Sequence, residues 1–456
     1  MKSVFFYCIN KNSCWGTGGG DVMDEGRNAN RCGSNGREGR SGERISISAF
    51  TMDRHTIIVV ILFVFVSFVS SRAARLQNPD FESPPTNLTT NVTTSQFVLL
   101  DTRTNVIPGW SFNGTVWYVT SGGNVSLPGN GHGMRLGPNG MINQSFKSDK
   151  GDSTYDYVIT FTLAPSSMDC ANNFTAVNVS GPTGSQVFSY KESVGTEMWQ
   201  TYAFSIGNSK IRNGSMGIQI QSVVTGSRGN ITCWPIVDTF IITSIENPRL
   251  YGDRGVVNSG FEVGPTFLDN SSQGILLESD MNNDPYKLIQ SPLQQWDILG
   301  IVKYIDSKHF AVPRGRGAIE LLSGSPSGIV TNIYFLRHGK VTLDFIMGDA
   351  NDSCVGDLTV FVQVKDMIWN FTTRSIGVGS SERHSVTFKA EFSSTESVPI
   401  SFSTFNETRT SDKRVLCGPV IDSTRLQFSS SLRSEKMHTR FVISSFVLTV
   451  LFLFVL

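Results

Sequence analysis

Four cysteines with a repeated spacing are the first residues in this chain whose types point to defined chemistry. Cys170 and Cys233 lie 63 positions apart, and Cys354 and Cys417 lie the same distance apart. Metal ligation is a poor alternative, because no pair has Cys-x-x-Cys spacing and the histidines are few and scattered. Four cysteines allow three pairings, and the equal spacing predicts disulfides Cys170–Cys233 and Cys354–Cys417, formed in an oxidising compartment.

The sequence lacks the common catalytic motifs. It contains no Gly-x-Ser-x-Gly, no His-Glu-x-x-His and no Gly-rich phosphate loop followed by Lys-Ser/Thr. Glycoside hydrolysis needs two carboxylates about 5–10 Å apart. Two acids are repeated between the halves of the chain, Glu82 as Glu262 and Asp238 as Asp422. A duplicated acid–base pair would be unusual, so we predict no enzymatic activity. A glycan-active enzyme with an unrecognised site stays as an alternative.

Aromatic residues are the second group that favours a function. A sugar-stacking platform is compatible with five of them: Trp110, Trp117, Tyr118, Trp296 and Tyr304. Trp110 and Trp296 stand at strand starts, where burial of a large apolar ring favours a core position. Trp117 and Tyr118 point to opposite faces of a strand, so only one of them faces solvent.

Composition narrows the class of protein that holds these residues. The 456 residues include 38 basic and 38 acidic side chains, so zero net charge argues against nucleic acid or anionic membrane as a partner. Charged residues make up 17%, while 43 Gly and 31 Phe are present. This composition favours a β-rich, secreted protein of two or three domains.

The N-terminal region contains a secretion signal that starts far from residue 1. Met52-Asp-Arg-His precedes an apolar run, 57–69, and Ser71-Arg-Ala73 follows it, which predicts a signal peptide at 52–73. The run is short for a transmembrane anchor, which is the alternative. Residues 1–51 are interpreted as an upstream extension of the gene model, with a genuine long leader as the alternative.

The C-terminal region predicts a lipid anchor. Residues 441–456 are apolar, residues 432–440 form a polar spacer, and Ser429, Ser430 and Ser431 precede it. This order is the signal for a glycosylphosphatidylinositol (GPI) anchor, with removal of 429–456. A short tail-anchor helix is the alternative.

Sequons for N-glycosylation agree with a secreted location. Thirteen Asn-x-Ser/Thr sequons predict a heavily glycosylated surface. They are Asn87, Asn91, Asn113, Asn124, Asn143, Asn173, Asn178, Asn213, Asn230, Asn270, Asn351, Asn370 and Asn406.

An internal repeat relates the two halves of the chain. Asn78-Pro-Asp-Phe81-Glu82 matches Asn258-Ser-Gly-Phe261-Glu262, and Cys233-Trp-Pro-Ile-Val-Asp238 matches Cys417-Gly-Pro-Val-Ile-Asp422. The repeat predicts tandem domains at 75–245 and 250–428. Short runs rich in Val, Ile, Thr and Phe, separated by turn residues, predict an all-β fold of two antiparallel sandwiches or jelly rolls.

The repeated motifs resemble one family, the plant cell-wall proteins grouped as domain of unknown function 642. The resemblance covers about 75–428 and rests on both Asn-x-x-Phe-Glu and Cys-x-Pro-x-hydrophobic-Asp motifs, on Pro108-Gly-Trp110 and on 302–322. It implies two galactose-binding-like β-sandwiches. It also implies secretion to the cell wall and association with wall polysaccharide or with wall enzymes such as pectin methylesterase.

A structural calcium site is a further implication of the resemblance. In sandwich carbohydrate-binding modules, a Glu near the first strand and an Asp near the last often hold calcium through oxygen ligands. The matching candidates are Glu82 with Asp238 and Glu262 with Asp422. The alternative is that each acid caps a turn. No other cofactor is predicted.

The function expected from this resemblance is non-catalytic binding of a pectin- or cellulose-type wall polysaccharide. Trp117, Tyr118 and Tyr304 are candidate ligand contacts, and Arg314 and Arg316 are candidate donors to an acidic sugar. The alternative for the arginines is a solvated loop. A module that docks pectin methylesterase or a receptor ectodomain is the competing function. Contact with a membrane is expected only through the lipid anchor.

Overall fold

The computed structural model describes residues 76–428 with short gaps, and two strands near the start of the chain. The gaps are residues 89–94, 149–154, 172–174, 209–213, 224–226, 229–230, 247–254, 270, 280–290, 323–325, 337 and 395. The predicted signal peptide (52–73), the anchor signal (429–456, with Ser429, Ser430 and Ser431) and the sequons Asn91, Asn173, Asn213, Asn230 and Asn270 lie outside the described residues. Within the described part, no helix has the length and apolar character needed to cross a membrane.

The chain divides into two compact units, residues 1–69 and 70–456. In the first unit, strands β1 (Phe6–Cys8) and β2 (Cys14–Gly16) pair antiparallel. The second unit contains both copies of the repeat.

In its described residues, the first copy is built from strands and three 3₁₀ turns. Its strands are β3 (Phe97–Leu99), β4 (Ser111–Asn113), β5 (Val116–Thr120), β6 (His132–Leu136), β7 (Met141–Lys147), β8 (Tyr155–Pro165), β9 (Ala176–Gly181), β10 (Gly184–Ser189), β11 (Gln200–Asn208), β12 (Ser215–Val223), β13 (Ser227–Arg228), β14 (Ile231–Thr232) and β15 (Pro235–Glu246). The turns are Pro128–Asn130, Met168–Cys170 and Glu192–Val194.

The second copy consists of strands alone in the described residues. They are β16 (Ile275–Glu278), β17 (Asp297–Leu299), β18 (Ile301–Asp306), β19 (Gly317–Leu321), β20 (Ser327–Tyr334), β21 (Gly339–Asp349), β22 (Cys354–Val364), β23 (Met367–Ile376), β24 (Ser380–Ala390), β25 (Ser397–Thr404), β26 (Thr408–Thr410), β27 (Leu416–Cys417) and β28 (Val420–Phe428).

The main strand order is shared by both copies, with β26 and β27 added to the small sheet of the second copy and β13 and β14 paired separately in the first. The shared order confirms the predicted all-β fold of two tandem sandwiches. The small sheet has the order β10-β9-β12-β7-β4 in the first copy, and β23-β22-β25-β20-β17 is its counterpart. The large sheet has the order β11-β8-β15-β6-β5-β3, and β24-β21-β28-β19-β18-β16 is its counterpart. Strands β11 and β16 pair in parallel where Tyr202 faces Leu276, so the two large sheets form one continuous sheet of twelve strands.

The two cores form because apolar side chains alternate along the strands and meet between the sheets. Strand β12 alternates with its even-numbered residues buried. Trp110 packs against Phe81 and Phe240, and Trp296 packs against Phe261 in the second core. The predicted core positions of the two tryptophans are therefore confirmed.

The disulfides Cys170–Cys233 and Cys354–Cys417 are present as predicted. All four residues are buried. Each bridge closes a loop of 63 residues within one copy. In the chain-entropy model, closure of a loop of this size stabilises the folded state by about 4 kcal/mol.

Candidate functional site

One turn per copy holds the repeated glutamate in place. The side chain of Asn78 bonds to both the backbone N–H and the carbonyl of Ser83, and Asn258 makes the same two bonds with Val263. Asn78 and Asn258 both have positive φ, which asparagine tolerates better than other side chains. The motif therefore directs the fold of this turn.

The tyrosines predicted to contact a ligand support this turn instead. The hydroxyl of Tyr118 donates to the carbonyl of Phe81 at 3.1 Å, and that of Tyr304 donates to the carbonyl of Phe261 at 2.8 Å. Both rings are buried, 5% and 4% exposed. Burial removes both side chains from the surface, which corrects the role predicted for them.

The glutamates next to these turns accept backbone hydrogen bonds. The carboxylate of Glu82 accepts from the backbone N–H of His132 at 2.7 Å and contacts its Nδ1 at 2.9 Å. Glu262 accepts from the backbone N–H of Arg316 at 2.9 Å. Both carboxylates stay partly exposed.

The repeated aspartates are buried beside these glutamates. Asp238 accepts from the N–H of Thr239 at 2.6 Å, and Asp422 accepts from the N–H of Ser423. Burial raises the pKa of Asp422 to about 6, and the charge of Glu262 adds to the rise, while the N–H groups of Ser423 and Arg314 oppose it. Burial likewise raises the pKa of Asp238 well above its usual value.

These acids are compatible with a hard cation. In the part of the chain that the structure describes, the buried Oδ2 atom of Asp422 has no hydrogen-bond partner, and the nearby carboxylate of Glu262 lies 3.7 Å from the Nε of Arg316. Two carboxylates with neighbouring carbonyl oxygens are the kind of ligands that Ca²⁺ takes. Among the described residues no group of three or more His, Cys, Asp or Glu side chains is arranged so that it could hold a metal ion. Structural calcium therefore stays a prediction with two carboxylates per copy.

The predicted arginines lie in the loop before β19. Arg314 and Arg316 are exposed, and Gly315 between them has φ 71°. A Cβ at Gly315 would overlap the carboxylate of Glu262, so the loop needs glycine there to approach that acid. This part of the chain agrees with a solvated loop, and contact of Arg314 and Arg316 with an acidic sugar stays a prediction.

A partly exposed cluster on the outer side of the first large sheet brings together an arginine and apolar side chains. The guanidinium carbon of Arg135 lies 5.0 Å from the ring centre of Phe97 and 4.8 Å from that of Trp117. Leu99 pairs with Trp117 across β3 and β5 and is 60% exposed. We call Phe97, Leu99, Trp117 and Arg135 the aromatic–arginine face.

Packing contacts hold the rings of the aromatic–arginine face in place. Trp117 covers Gly137, where a Cβ would come within 2.4 Å of the indole ring. Phe97 and Trp117 also pack against a small buried cluster that includes Val119 and Leu127. Because a rigid platform loses little conformational entropy on binding, such support favours ligand recognition.

Sequence reasoning identified Trp117 but missed Phe97, Leu99 and Arg135. The prediction that only one of Trp117 and Tyr118 faces solvent is confirmed. Arg135 pairs with Trp117 across β5 and β6, and no motif marks the residue that lies opposite a given strand position. Only the register of the two strands, which the loop between them sets, could have revealed it.

Family comparison agrees with the resemblance seen in the sequence. The family model described as protein of unknown function (DUF642) matches residues 74–243 and 258–427. Protein DUF642 L-galactono-1,4-lactone-responsive gene 2 from Arabidopsis thaliana is 32% identical over 370 residues, which are 79% of this chain and 93% of that protein. Protein TEEBE from Arabidopsis thaliana is 29% identical over 355 residues, 76% of this chain and 89% of that protein.

Solved structures with a detectable likeness include carbohydrate-binding modules. The tandem CBM22 domains of Xyn10C from Paenibacillus barcinonensis cover 79% of this chain and 99% of their own, with 10% identity and a TM-score of 0.24. TmCBM61 in complex with β-1,4-galactotriose covers 38% of this chain and 99% of its own, with 17% identity and a TM-score of 0.24.

Proposed function

This chain belongs to the DUF642 family of proteins of unknown function, and we propose that it binds plant cell-wall saccharides without converting them. The observation that carries this proposal is the aromatic–arginine face. Its rings are fixed by the sheet below and remain partly open to solvent. Sugar C–H groups pack well on such rings, and the neighbouring guanidinium supplies donors for sugar oxygens.

The repeated acids support binding rather than turnover. Asp238 and Asp422 are buried, and both accept hydrogen bonds from the residue that follows them. Glu82 and Glu262 hold backbone N–H groups of neighbouring loops. These carboxylates therefore act in the fold, which leaves none of them as an evident acid–base pair for glycoside hydrolysis.

We place this binding outside the cell, on a protein that the lipid anchor keeps at the plasma membrane. The two terminal signals and the sequons in the sequence support this location. Two disulfides are consistent with an oxidising compartment.

Affinity electrophoresis of the full secreted chain tests the function. We expect slower migration in gels that contain a wall polysaccharide than in gels without polymer. Trp117→Ala should weaken binding about tenfold, or about 1.4 kcal/mol, because it removes the largest ring of the face. Tyr334→Ala, a change of an exposed ring in the second copy, should leave binding unchanged. Equal mobility of the unaltered protein in all gels would contradict the proposal.

Docking of a protein partner such as a wall enzyme is the second candidate. Val355 and Ile376 pair across β22 and β23 and are 38% and 71% exposed, which forms a small apolar surface in the second copy. Exposed apolar surface of this kind occurs at protein interfaces. Retention of a wall enzyme by a chain that binds no polymer would favour this function.

A further inference from the structure

We propose that the aromatic–arginine face selects saccharides that carry a carboxylate, and that Arg135 binds this carboxylate. The inference rests on the proposed function and names the class of sugar, a uronic acid. Its starting point is a cation that has no anionic partner among the described residues.

Arg135 has no acidic partner among the residues that the structure describes. Its guanidinium takes part in no hydrogen bond or ion pair there, and its Nε is buried without a partner. Burial lowers the pKa of the group, which reflects loss of hydration around a charge that persists at neutral pH. A partly dehydrated cation of this kind favours an anion supplied from outside.

In the second copy, the strand positions equivalent to Trp117 and Arg135 hold an ion pair. There Lys303 and Glu320 face each other across β18 and β19, as Trp117 and Arg135 do across β5 and β6. The Nζ of Lys303 lies 2.9 Å from Glu320, and both side chains are buried. Glu320 also accepts from the N–H of Gly418. The second copy thus pairs the cation at this position with an acid of its own, whereas in the first copy the ligand supplies the anion.

The geometry of the face indicates which anion fits. Because Nε is inaccessible, a ligand reaches only the two terminal nitrogens of Arg135, and these present parallel N–H groups that match a carboxylate. The rings of Phe97 and Trp117 lie against the guanidinium, and the exposed Leu99 extends the apolar surface beside Trp117. A uronic acid ring offers a carboxylate and a C–H surface in one unit, whereas inorganic phosphate offers only the charge.

Binding of matched oligosaccharides by the full secreted chain tests the inference. The probes are oligogalacturonides and the same oligomers after chemical reduction of every carboxylate to an alcohol. Glycans are trimmed to one sugar, because the sequon Asn124 lies exposed in the loop that follows β5. We expect the reduced oligomers to bind at least tenfold more weakly. Arg135→Gln should weaken binding of the acidic oligomers at least tenfold and binding of the reduced ones by a much smaller factor, since a hydroxyl accepts a weaker hydrogen bond than a carboxylate.

Three comparisons separate this inference from its alternatives. Arg103→Gln removes the same charge from an exposed arginine that is paired with Asp101, and it should change affinity less than twofold. Arg135→Lys keeps the charge without the planar fork and should recover only part of the affinity. The melting temperature of Arg135→Gln should change little, because among the described residues the guanidinium has no ion pair or hydrogen bond to lose, only its contacts with the rings of Phe97 and Trp117.

Each outcome has one meaning for the proposal. Equal binding of acidic and reduced oligomers, or full affinity in Arg135→Gln, would overturn carboxylate selection while saccharide binding stands. Absence of binding to both oligomers and to every wall polymer would overturn saccharide binding as well. Loss of affinity for both probes together with a lower melting temperature would assign Arg135 to the fold instead.

Discussion

Asp422 is one residue whose protonation links the stability of the second copy to pH. Folding buries this carboxylate beside Glu262 and raises its pKa to about 6, from an ordinary value of 3.8. The folded state therefore holds a proton more tightly than the unfolded state. The resulting stabilisation is complete below about pH 3.8 and is lost as the pH rises through about 6.

Replacement of Asp422 by Asn should therefore stabilise the protein in calcium-free buffer at neutral pH. The amide keeps an oxygen for the N–H of Ser423 and removes the buried charge. We expect a gain of about 1–3 kcal/mol in the free energy of unfolding at pH 7, which shrinks to zero below pH 4. Chemical denaturation at a series of pH values measures it. A gain that is the same at every pH would contradict this assignment.

Calcium should reverse the order of stability at pH 7. If Glu262 and Asp422 bind the ion, calcium at 100 times its dissociation constant stabilises the unaltered protein by about 2.7 kcal/mol. Titration calorimetry should give two sites for the unaltered chain and one for the variant Glu262→Gln/Asp422→Asn. Glu391→Gln, a change of an exposed acid, serves as control. Melting temperatures that are equal in calcium and in chelator would exclude the site.

Some residues of the candidate site could be predicted from the sequence, and others could not. The cysteine pairing follows from equal spacing, and Trp110 and Trp296 follow from the tendency of large rings to be buried. Tyr118 has the same apolar ring and a polar hydroxyl, so its type alone allows either an exposed or a buried position. The hydroxyl of Tyr118 donates a hydrogen bond to the carbonyl of Phe81, and this partner makes the buried position favourable.

At the scale of elements, the outer surface of the first small sheet is a candidate glycan-covered face. Asn113 on β4, Asn143 on β7 and Asn178 on β9 belong to sequons and lie on this one surface. Gln219 on β12 pairs with Asn143 and is also partly exposed. The surface is polar and lacks the rings of the aromatic–arginine face, which lies on the large sheet.

We expect N-glycans at Asn113, Asn143 and Asn178 in protein from a plant secretory host. All three side chains are exposed or partly exposed, so folding leaves room for a glycan. Enzymatic release in heavy-oxygen water, followed by peptide mass spectrometry, should convert each of them to labelled Asp. Asn139, which is exposed but outside any sequon, controls for labelling without a glycan. Unlabelled peptides at all three sites would remove the glycan cover from this face.

Edge strands explain why the large sheet continues between the copies and ends in the second one. Strand β11 carries no charged side chain and pairs with β16. Its counterpart β24 carries Glu382, Arg383 and Lys389 and ends the sheet. Charged side chains on an edge oppose further pairing with other strands. The strand at this position therefore joins the two copies in the first copy and forms the edge of the sheet in the second.

For the whole molecule, the repeat in the sequence predicted two sandwiches but not their junction. Equal motifs fix the number of copies, because each motif marks one N-terminal turn or one disulfide. The junction depends on a parallel pairing at Tyr202 and Leu276, which are remote in sequence and belong to no motif. Pairings of this kind leave no local pattern, since either residue would suit any buried strand.

The two copies should unfold in one cooperative transition because their large sheets pair at β11 and β16 and an ion pair joins them at the same junction. Lys191 of the first copy pairs with Glu278 of the second, and their side chains are 33% and 10% exposed. Lys191→Met leaves this acid without its cation, and we expect a loss of about 3 kcal/mol and a broadened or split transition in scanning calorimetry. Lys389→Met, which breaks an exposed pair with Glu391, should cost less than about 1 kcal/mol. Two separate transitions in the unaltered protein, or equal losses in the two variants, would show that the copies are stable independently of this junction.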